Sequence, residues 1–120
     1  MNNLHINWIA EQNFRGVYPS GQTFDLTFRL SLPVTLRDEP DQPEYAQCRI
    51  AIAPLAQDRW IKANNGFQAL CMAIEHLRTV FKVFLAEGGR IYWEDTDSPI
   101  DINSCWFAPL PSLRELQEAL

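Results

Sequence analysis

The chain has 120 residues, of which 47% are hydrophobic, and a formal net charge of −5 at pH 7. This length supports a single domain over residues 1–120 with its own core, and the composition excludes a disordered or fibrous chain. Because no apolar run reaches the roughly 20 residues of a membrane-spanning helix, and the N-terminal residues do not resemble a secretory signal, we expect a soluble cytoplasmic protein without membrane contact.

Alternating hydrophobic residues predict β-strands in the first half of the chain. The clearest alternation covers residues 24–32, where every second residue is apolar, and residues 4–10 and 45–52 alternate in the same way. Pro19 and Gly21 provide a turn signal between the first two runs. One apolar face per strand is typical of an antiparallel sheet whose other face contacts water.

The hydrophobic spacing then changes to that of a helix. Apolar residues recur at steps of three and four over about residues 66–87, which predicts one long helix. Asn65 and Gln68 fit an N-cap box, and Gly88-Gly89 fits a helix end. The apolar arc is wider than one sheet face requires. We therefore expect a second cover, either the C-terminal part of the chain or another molecule, such as a second copy in a homodimer.

Shorter elements complete the predicted fold. Residues 90–94 predict a short strand, residues 100–110 a weaker strand, and residues 111–120 a short C-terminal helix capped by Ser112. The segment around Trp60 is predicted to be a loop. The expected fold is α+β with two layers: an antiparallel sheet of about four to five strands, the long helix on one face, and the short C-terminal helix.

Negative charge is concentrated in the last quarter of the chain. Residues 1–90 carry nine acidic and nine basic residues, whereas residues 91–120 carry six acidic residues and one basic residue. Four carboxylates follow the predicted strand at residues 90–94 in a segment that we call the acidic turn: Glu94, Asp95, Asp97 and Asp101. A second acidic segment precedes the strand at residues 45–52 and contains Asp38, Glu39, Asp41 and Glu44.

The charge distribution favours a protein partner over nucleic acid. An acidic chain without a basic stripe is a poor nucleic-acid ligand, because neutralisation of phosphates supplies most of that affinity. A basic protein is the better candidate partner.

The acidic turn has several alternative explanations. A calcium loop of the EF-hand type does not fit, because Pro99, Ile100 and Trp106 occupy positions that require ligands or glycine. A catalytic pair requires one buried carboxyl, whereas four clustered acids in a turn should be hydrated and ionised. A solvated hairpin turn and a partner-binding patch both fit the pattern.

No other group of residues matches a catalytic or metal-binding motif. Cys71 and His76 lie about 140° apart around the predicted helix and cannot act as a pair within it. The cysteines, Cys48, Cys71 and Cys105, lack zinc-ligand spacing, and we interpret them as reduced core residues. The sequence therefore predicts a protein without enzymatic activity, metal or cofactor.

The four tryptophans divide into two pairs. Trp8 and Trp93 fall on apolar strand positions, which predicts that both lie in the core. Trp60 and Trp106 lie near charged segments and either close the core or anchor a partner. Aromatic residues beside a charged surface are typical of interface hot spots.

Residues 65–93, NGFQALCMAIEHLRTVFKVFLAEGGRIYW, resemble a stretch shared by small bacterial proteins. In those proteins a long helix opens with this pattern of small and apolar residues, and a strand ending in Trp follows. The matching positions are Gly66, Gln68, Ala69, Leu70, Ala73 and Trp93. Short acidic proteins of this kind resemble immunity proteins, which neutralise a contact-dependent or type VI secretion toxin inside the producing cell. The resemblance implies a fold and a non-enzymatic function rather than an active site.

The first hypothesis is a non-enzymatic cytoplasmic inhibitor of a cognate toxin. Carboxylates of the acidic turn, together with those of the second acidic segment, would contact a basic cleft, and Trp60 or Trp106 would be the anchor. The alternatives are a phage-encoded inhibitor that offers an acidic decoy to a host defence, an enzyme or ligand-binding protein with a cavity beside the helix, and a homodimeric accessory domain.

Overall fold

The computed structural model describes residues 6–103 and 113–119. A sheet of six antiparallel strands and one long helix form a two-layer α+β fold, as the sequence predicted. The strands are β1 (Trp8–Val17), β2 (Thr23–Ser31), β3 (Val34–Leu36), β4 (Tyr45–Ala53), β5 (Ala56–Ala63) and β6 (Arg90–Trp93). The long helix, α1, spans Gly66–Ala86, and a helical segment of six residues near the C-terminus, α2, spans Leu113–Glu118. The two layers are the sheet and α1.

β4 connects the two halves of the sheet. Ala46 pairs with Thr35 of β3 on one side and with Ala63 of β5 on the other. β2 lies on the same side of β4 as β3, because Leu30 pairs with Ile50. β1 pairs with β2, and β6 pairs with β1. Across the sheet, the strands therefore follow the order β5, β4, β2, β1, β6. β3 lies beside β4 and continues the line of β2.

A β-bulge separates β2 from β3 and is stabilised by Ser31. The register of pairing with β4 shifts by one residue between the two strands. The hydroxyl of Ser31, which is 1% exposed, accepts the backbone N–H of Arg49 at 2.7 Å. The Cys48 thiol donates to the Ser31 carbonyl at 3.2 Å. These contacts satisfy backbone groups that an irregular ladder would leave unpaired.

The hydrophobic core lies between α1 and one face of the sheet. Alternate residues of the central strands point to the helix and are buried, among them Phe14, Leu26, Leu30, Cys48, Ile50 and Ile52. The helix contributes a buried stripe of Ala69, Ala73, Leu77, Phe81 and Phe84. The small side chains at the start of this stripe allow close packing on the sheet, and the large ones fill the core further along, where the Phe81 ring meets that of Phe14 edge-on at 5.6 Å.

Both ends of α1 are formed by the residues that the sequence indicated. The Asn65 side chain accepts the N–H of Gln68 at 2.8 Å. The Gln68 side chain accepts the N–H of Asn64 at 2.9 Å, one residue before the position that a capping box uses. At the other end, Gly88 has a φ of 99°, a conformation that glycine adopts without steric cost.

β5 corrects the prediction of a loop around Trp60, and with β3 it raises the strand count to six. Its alternation is hidden in the sequence for two reasons. A register irregularity interrupts the pairing between Ile50 and Ile52 of β4, and the helix-facing position paired with Ile50 is Arg59 rather than an apolar residue. β3 has only three residues, which is too short for a periodic signal.

The prediction for Trp8 was wrong, and that for Trp93 was right. Of the strand predicted over residues 4–10, residues 4 and 5 lie outside the described residues and β1 begins at Trp8, with a shift in its register between Trp8 and Ala10. This irregularity places Trp8 on the sheet face opposite α1, where the Arg29 guanidinium lies over its ring. Trp93 pairs with Phe14 and packs against the core, with the two ring centroids 5.2 Å apart.

The buried stripe of α1 is narrower than the apolar arc in the sequence. Phe67 is 80% exposed, and Met72 and Val83 are about half exposed. Cys71 is also exposed, contrary to the prediction of a core residue, whereas Cys48 is buried as predicted. One flat sheet face covers one stripe of a helix, so the flanking apolar positions remain in contact with water.

The chain beyond β6 is described in part. Pro99 forms an isolated bridge with Tyr92, and residues 101–103 form no strand. The rest of the weaker strand predicted over residues 100–110, with Cys105 and Trp106, lies outside the described residues. Within residues 6–103 and 113–119, neither helix has both the length and the hydrophobicity to cross a membrane.

Two phenylalanines of α1 provide a matched test of the core. Phe81→Ala removes a fully buried ring and should lower the free energy of unfolding by about 3–5 kcal/mol. Phe67→Ala removes a ring that is 80% exposed and should change it by less than about 0.5 kcal/mol. Urea denaturation followed by circular dichroism measures both values. Equal losses for the two variants would contradict the described orientation of α1.

Candidate functional site

The acidic turn is a hydrogen-bonded hairpin at one edge of the sheet. After Trp93 the chain reverses, and the Trp93 N–H donates to the Ser98 carbonyl at 3.0 Å. The Ile100 N–H donates to the Ile91 carbonyl at 3.1 Å. Asp95 has a φ of 57°, a left-handed conformation that Asp adopts more readily than most other residues. The backbone of the acidic turn is therefore well defined.

Arg15 of β1 connects the acidic turn to the sheet. Its guanidinium donates to the Thr96 carbonyl at 2.9 Å and to Asp97 Oδ1 at 3.2 Å. The same guanidinium lies 4.4 Å from the centroid of the Tyr92 ring. Because one cation contacts the ring, the backbone and a carboxylate, it restrains the turn on the face of the sheet opposite α1.

The four carboxylates of the acidic turn are all exposed but differ in their partners. Asp97 forms an ion pair with Arg15. Asp101 accepts the backbone N–H of Asn103 at 3.1 Å. For Glu94 and Asp95, no cation of the described residues lies within 4 Å of the carboxylate. The tip of the turn thus presents two carboxylates that the described part of the chain does not neutralise.

The second acidic segment is organised around its own cation. Arg37 pairs with Glu44 at 3.1 Å and donates to two backbone carbonyls within the segment. Asp38 accepts the Tyr45 hydroxyl at 2.8 Å, and this hydrogen bond raises the pKa of Tyr45. The two remaining carboxylates of the segment, on Glu39 and Asp41, are exposed.

The structure does not bring the two acidic segments together. Trp93, at the start of the acidic turn, aligns with Phe14 of β1 and through it with Leu26 of β2. The second acidic segment follows Leu36, ten residues further along the line of β2 and β3. At about 3.3 Å per residue, Leu26, beside the start of the acidic turn, and Leu36, beside the second acidic segment, are separated by roughly 30 Å along the strands. A small contact surface therefore includes one segment but not both.

The predicted anchor Trp60 is also distant from the acidic turn. β5 and β6 lie at opposite edges of the strand order, which corresponds to roughly 19 Å at the usual spacing between strands. The Trp60 ring is half-buried, and the Arg49 guanidinium lies 5.6 Å from its centroid. Trp106, the other predicted anchor, lies outside the described residues.

The face of the sheet opposite α1, which we call the open face, carries four aromatic rings that the sequence analysis did not group. A basic side chain lies over each ring. The pairs are Trp8 with Arg29, Trp60 with Arg49, Tyr45 with Lys62, and Tyr92 with Arg15. Cation–π contacts of this kind stabilise exposed sites by about 0.5–1 kcal/mol. These four pairs became visible only with the pairing of the strands.

Each aromatic–cation pair of the open face also contacts a carboxylate. Glu11 lies 3.4 Å from Arg29, and Asp58 lies 3.6 Å from Arg49. The other two contacts are those of Asp97 with Arg15 and of Asp38 with the Tyr45 hydroxyl. The open face therefore combines large rings with nearly balanced charge.

His76 lines a depression of about 370 Å³ between α1 and β5, together with Arg59. Its Nε2 is buried and has no hydrogen-bond partner in the described part of the chain. Burial and the nearby charge of Arg59 lower the pKa of His76. His76 is therefore a half-buried residue at the boundary of the core that is mainly neutral at neutral pH.

The described ranges, 6–103 and 113–119, hold no group of three or more His, Cys, Asp or Glu side chains arranged to bind a metal ion. The chemistry that the structure presents is that of exposed carboxylates on a hydrogen-bonded turn and of aromatic–cation pairs on the open face. Both are features of binding surfaces.

Arg15→Gln should loosen the acidic turn. The variant loses the ion pair with Asp97 and the contact with Tyr92. Since exposed ion pairs contribute up to about 1 kcal/mol, we expect hydrogen exchange at the Trp93 and Ile100 amides to accelerate about two- to fivefold. Arg29→Gln, which removes a similar pair away from the turn, should leave these amides unchanged. Equal acceleration in both variants would show that Arg15 has no specific role.

His76 should make the stability of the fold depend on pH. Because its folded-state pKa lies below the ordinary value of 6.5, the unfolded chain binds more protons as the pH falls below 6.5. The free energy of unfolding should therefore decrease between about pH 7 and pH 5, and His76→Gln should reduce this decrease. Urea denaturation of both proteins across this range tests the effect, and parallel curves would contradict it.

Comparisons with known proteins give no independent indication of what these surfaces bind. The chain matches no protein-family model, no curated protein and no solved structure. The resemblance of residues 65–93 to small bacterial proteins accordingly stays a prediction.

Proposed function

We propose that this chain is a non-enzymatic protein that binds and neutralises a cognate protein through the acidic turn. The observation that carries the proposal is the tip of the turn, where Glu94 and Asp95 are exposed without a cation of the described chain beside them. Their negative potential is therefore available to an external cation. A partner with a basic surface is the complementary ligand.

The rigidity of the acidic turn supports a role in binding. Backbone hydrogen bonds on both sides of the reversal and the contacts of Arg15 hold the backbone of the turn and the Asp97 carboxylate in one arrangement. A surface that is ordered before association loses less conformational entropy when the partner binds. Complementary charge accelerates the encounter, and this acceleration decreases as salt screens the charges.

An immunity protein for a secreted bacterial toxin is the specific form of this function that we propose. The resemblance of residues 65–93 and the acidic character of the chain support it. In this role the acidic turn would occupy a basic active-site cleft and exclude the toxin's substrate. A toxin reading frame beside the gene would support immunity, whereas a phage locus would favour the acidic decoy of a host defence.

The geometry narrows the set of residues proposed to contact the partner. The acidic turn is the primary contact. The second acidic segment lies roughly 30 Å away along the strands, and two of its carboxylates contact its own Arg37 and Tyr45. Trp60 lies at the opposite edge of the sheet. These residues contribute only if the partner extends across the open face.

Identification of the partner is the first experiment. The chain is purified from its native host with bound proteins, and these are identified by mass spectrometry. We expect one stoichiometric partner with a basic surface. The proposal would be contradicted if the chain were recovered without a bound protein at every level of its expression and no gene for a candidate partner lay beside its own gene.

Paired neutralisations then test which acidic segment binds. Glu94→Gln with Asp95→Asn should reduce the association rate with the purified partner about tenfold at low salt and should flatten its dependence on ionic strength. Glu39→Gln with Asp41→Asn removes the same formal charge from the second acidic segment and should have a much smaller effect. Stopped-flow fluorescence measures both rates. A larger effect of the second pair would indicate that the partner contacts the second acidic segment instead of the acidic turn.

A further inference from the structure

The open face has the composition of a protein interface. Aromatic residues and Arg are enriched at interfaces, whereas Lys, Glu and Asp are depleted. The open face carries two Trp and two Tyr rings over which three Arg and one Lys lie. Its acidic side chains depart from that composition, but Glu11, Asp58 and Asp97 are each paired with an arginine of the face. The four rings are half-buried, so part of each remains available for contact with another molecule.

The charges on and around the open face are balanced, unlike those of the whole chain. Five basic and five acidic side chains lie on this face or at its rim: Arg15, Arg29, Arg49, Lys62, Arg90, Glu11, Asp25, Asp38, Asp58 and Asp97. Nucleic acid is not the favoured occupant, because it requires net positive potential. A charge-balanced surface can instead face a second copy of itself across a two-fold axis, where the same patch on both subunits supplies positive groups opposite negative ones.

The area of the open face is sufficient for self-association. Five strand positions at about 4.8 Å and roughly eight residues at 3.3 Å give about 600 Å² for each copy. Two such faces would bury about 1,200 Å², which is the lower end of the range for specific interfaces. Interfaces of similar area range from micromolar to picomolar dissociation constants, and because this one would be small and polar we expect a value at the weak end, on the order of micromolar.

The centre of the open face is concave and can accept side chains of a second copy. A depression of about 390 Å³ lies between Trp8 and Asp58. Small side chains of the central strands line it, namely Thr27, Ala51 and Ala53. Because no described element packs on this side of the sheet, the depression is accessible to another molecule within the described structure.

We propose that two copies of this chain associate through their open faces, sheet against sheet, about a two-fold axis. The helices lie on the outside of the dimer, and the two sheets pack about 10 Å apart. The aromatic rings of the two copies fill the central depressions, and the ion pairs of each copy lie against those of the other. Glu94 and Asp95 lie at the tip of the acidic turn, after the last residue of β6, and the ion pair of Arg15 with Asp97 lies at the rim of the proposed interface.

Sedimentation equilibrium of the purified full chain tests the proposal. The unmodified chain should dimerise with a dissociation constant on the order of micromolar. Ala51→Arg introduces a long charged side chain into the central depression and should leave the protein monomeric. Phe67→Ser changes the most exposed ring of α1 and should leave dimerisation unchanged. Circular dichroism establishes that each variant is folded.

A second open-face variant keeps the test decisive if Ala51→Arg does not fold. Trp8→Ser removes a ring that lines the central depression and should weaken dimerisation about thirtyfold, the effect of losing a hot-spot residue. A chain that stays monomeric up to about 500 µM, far above a micromolar constant, would overturn the proposal. A dimer that persists in both open-face variants but dissociates in Phe67→Ser would also overturn it, because the interface would then lie on α1.

Discussion

The structure depends on the packing of one helix against one face of a six-stranded sheet. The small side chains of Ala69 and Ala73 and the large ring of Phe81 form the buried stripe of α1, and β4 lies beneath it with four fully buried side chains, Ala46, Cys48, Ile50 and Ile52. Hydrophobic burial is the main favourable term in folding. In the described chain, it is concentrated on this side of the sheet.

The same constraint explains the composition of the open face. A single helix leaves one side of the sheet without a hydrophobic cover, and the strands there are held by cross-strand contacts between rings, cations and carboxylates. Each such pair contributes roughly 0.2–1 kcal/mol, much less than a buried aromatic ring. The open face is therefore stable in water and also able to associate, because its rings remain half-exposed. The proposed dimer uses this property.

The acidic turn shows how one fold satisfies some charges and leaves others available. Arg15 pairs with Asp97 and holds the backbone at Thr96, while Glu94 and Asp95 lie at the tip without a described cation. In the second acidic segment, two of the four carboxylates have a partner: Arg37 pairs with Glu44, and Tyr45 donates a hydrogen bond to Asp38. Internal pairing orders both segments, but only the turn combines adjacent unpaired carboxylates with a rigid edge of the sheet. This difference supports the turn as the primary contact in the proposed function.

The sequence by itself determined the elements whose signal is local. Period-2 alternation located β2 and β4, helical spacing located α1, and Asn65 and Gly88 marked its ends, because each signal comes from residues close in the chain. Only the tertiary structure decided the features that depend on strand register. A shift in the register of β1 placed Trp8 on the open face. β5 was concealed because Arg59 occupies one of its helix-facing positions. The distance between the acidic segments followed from the pairing of the strands. One-residue shifts in pairing exchange the two faces of a strand, and no local pattern records them.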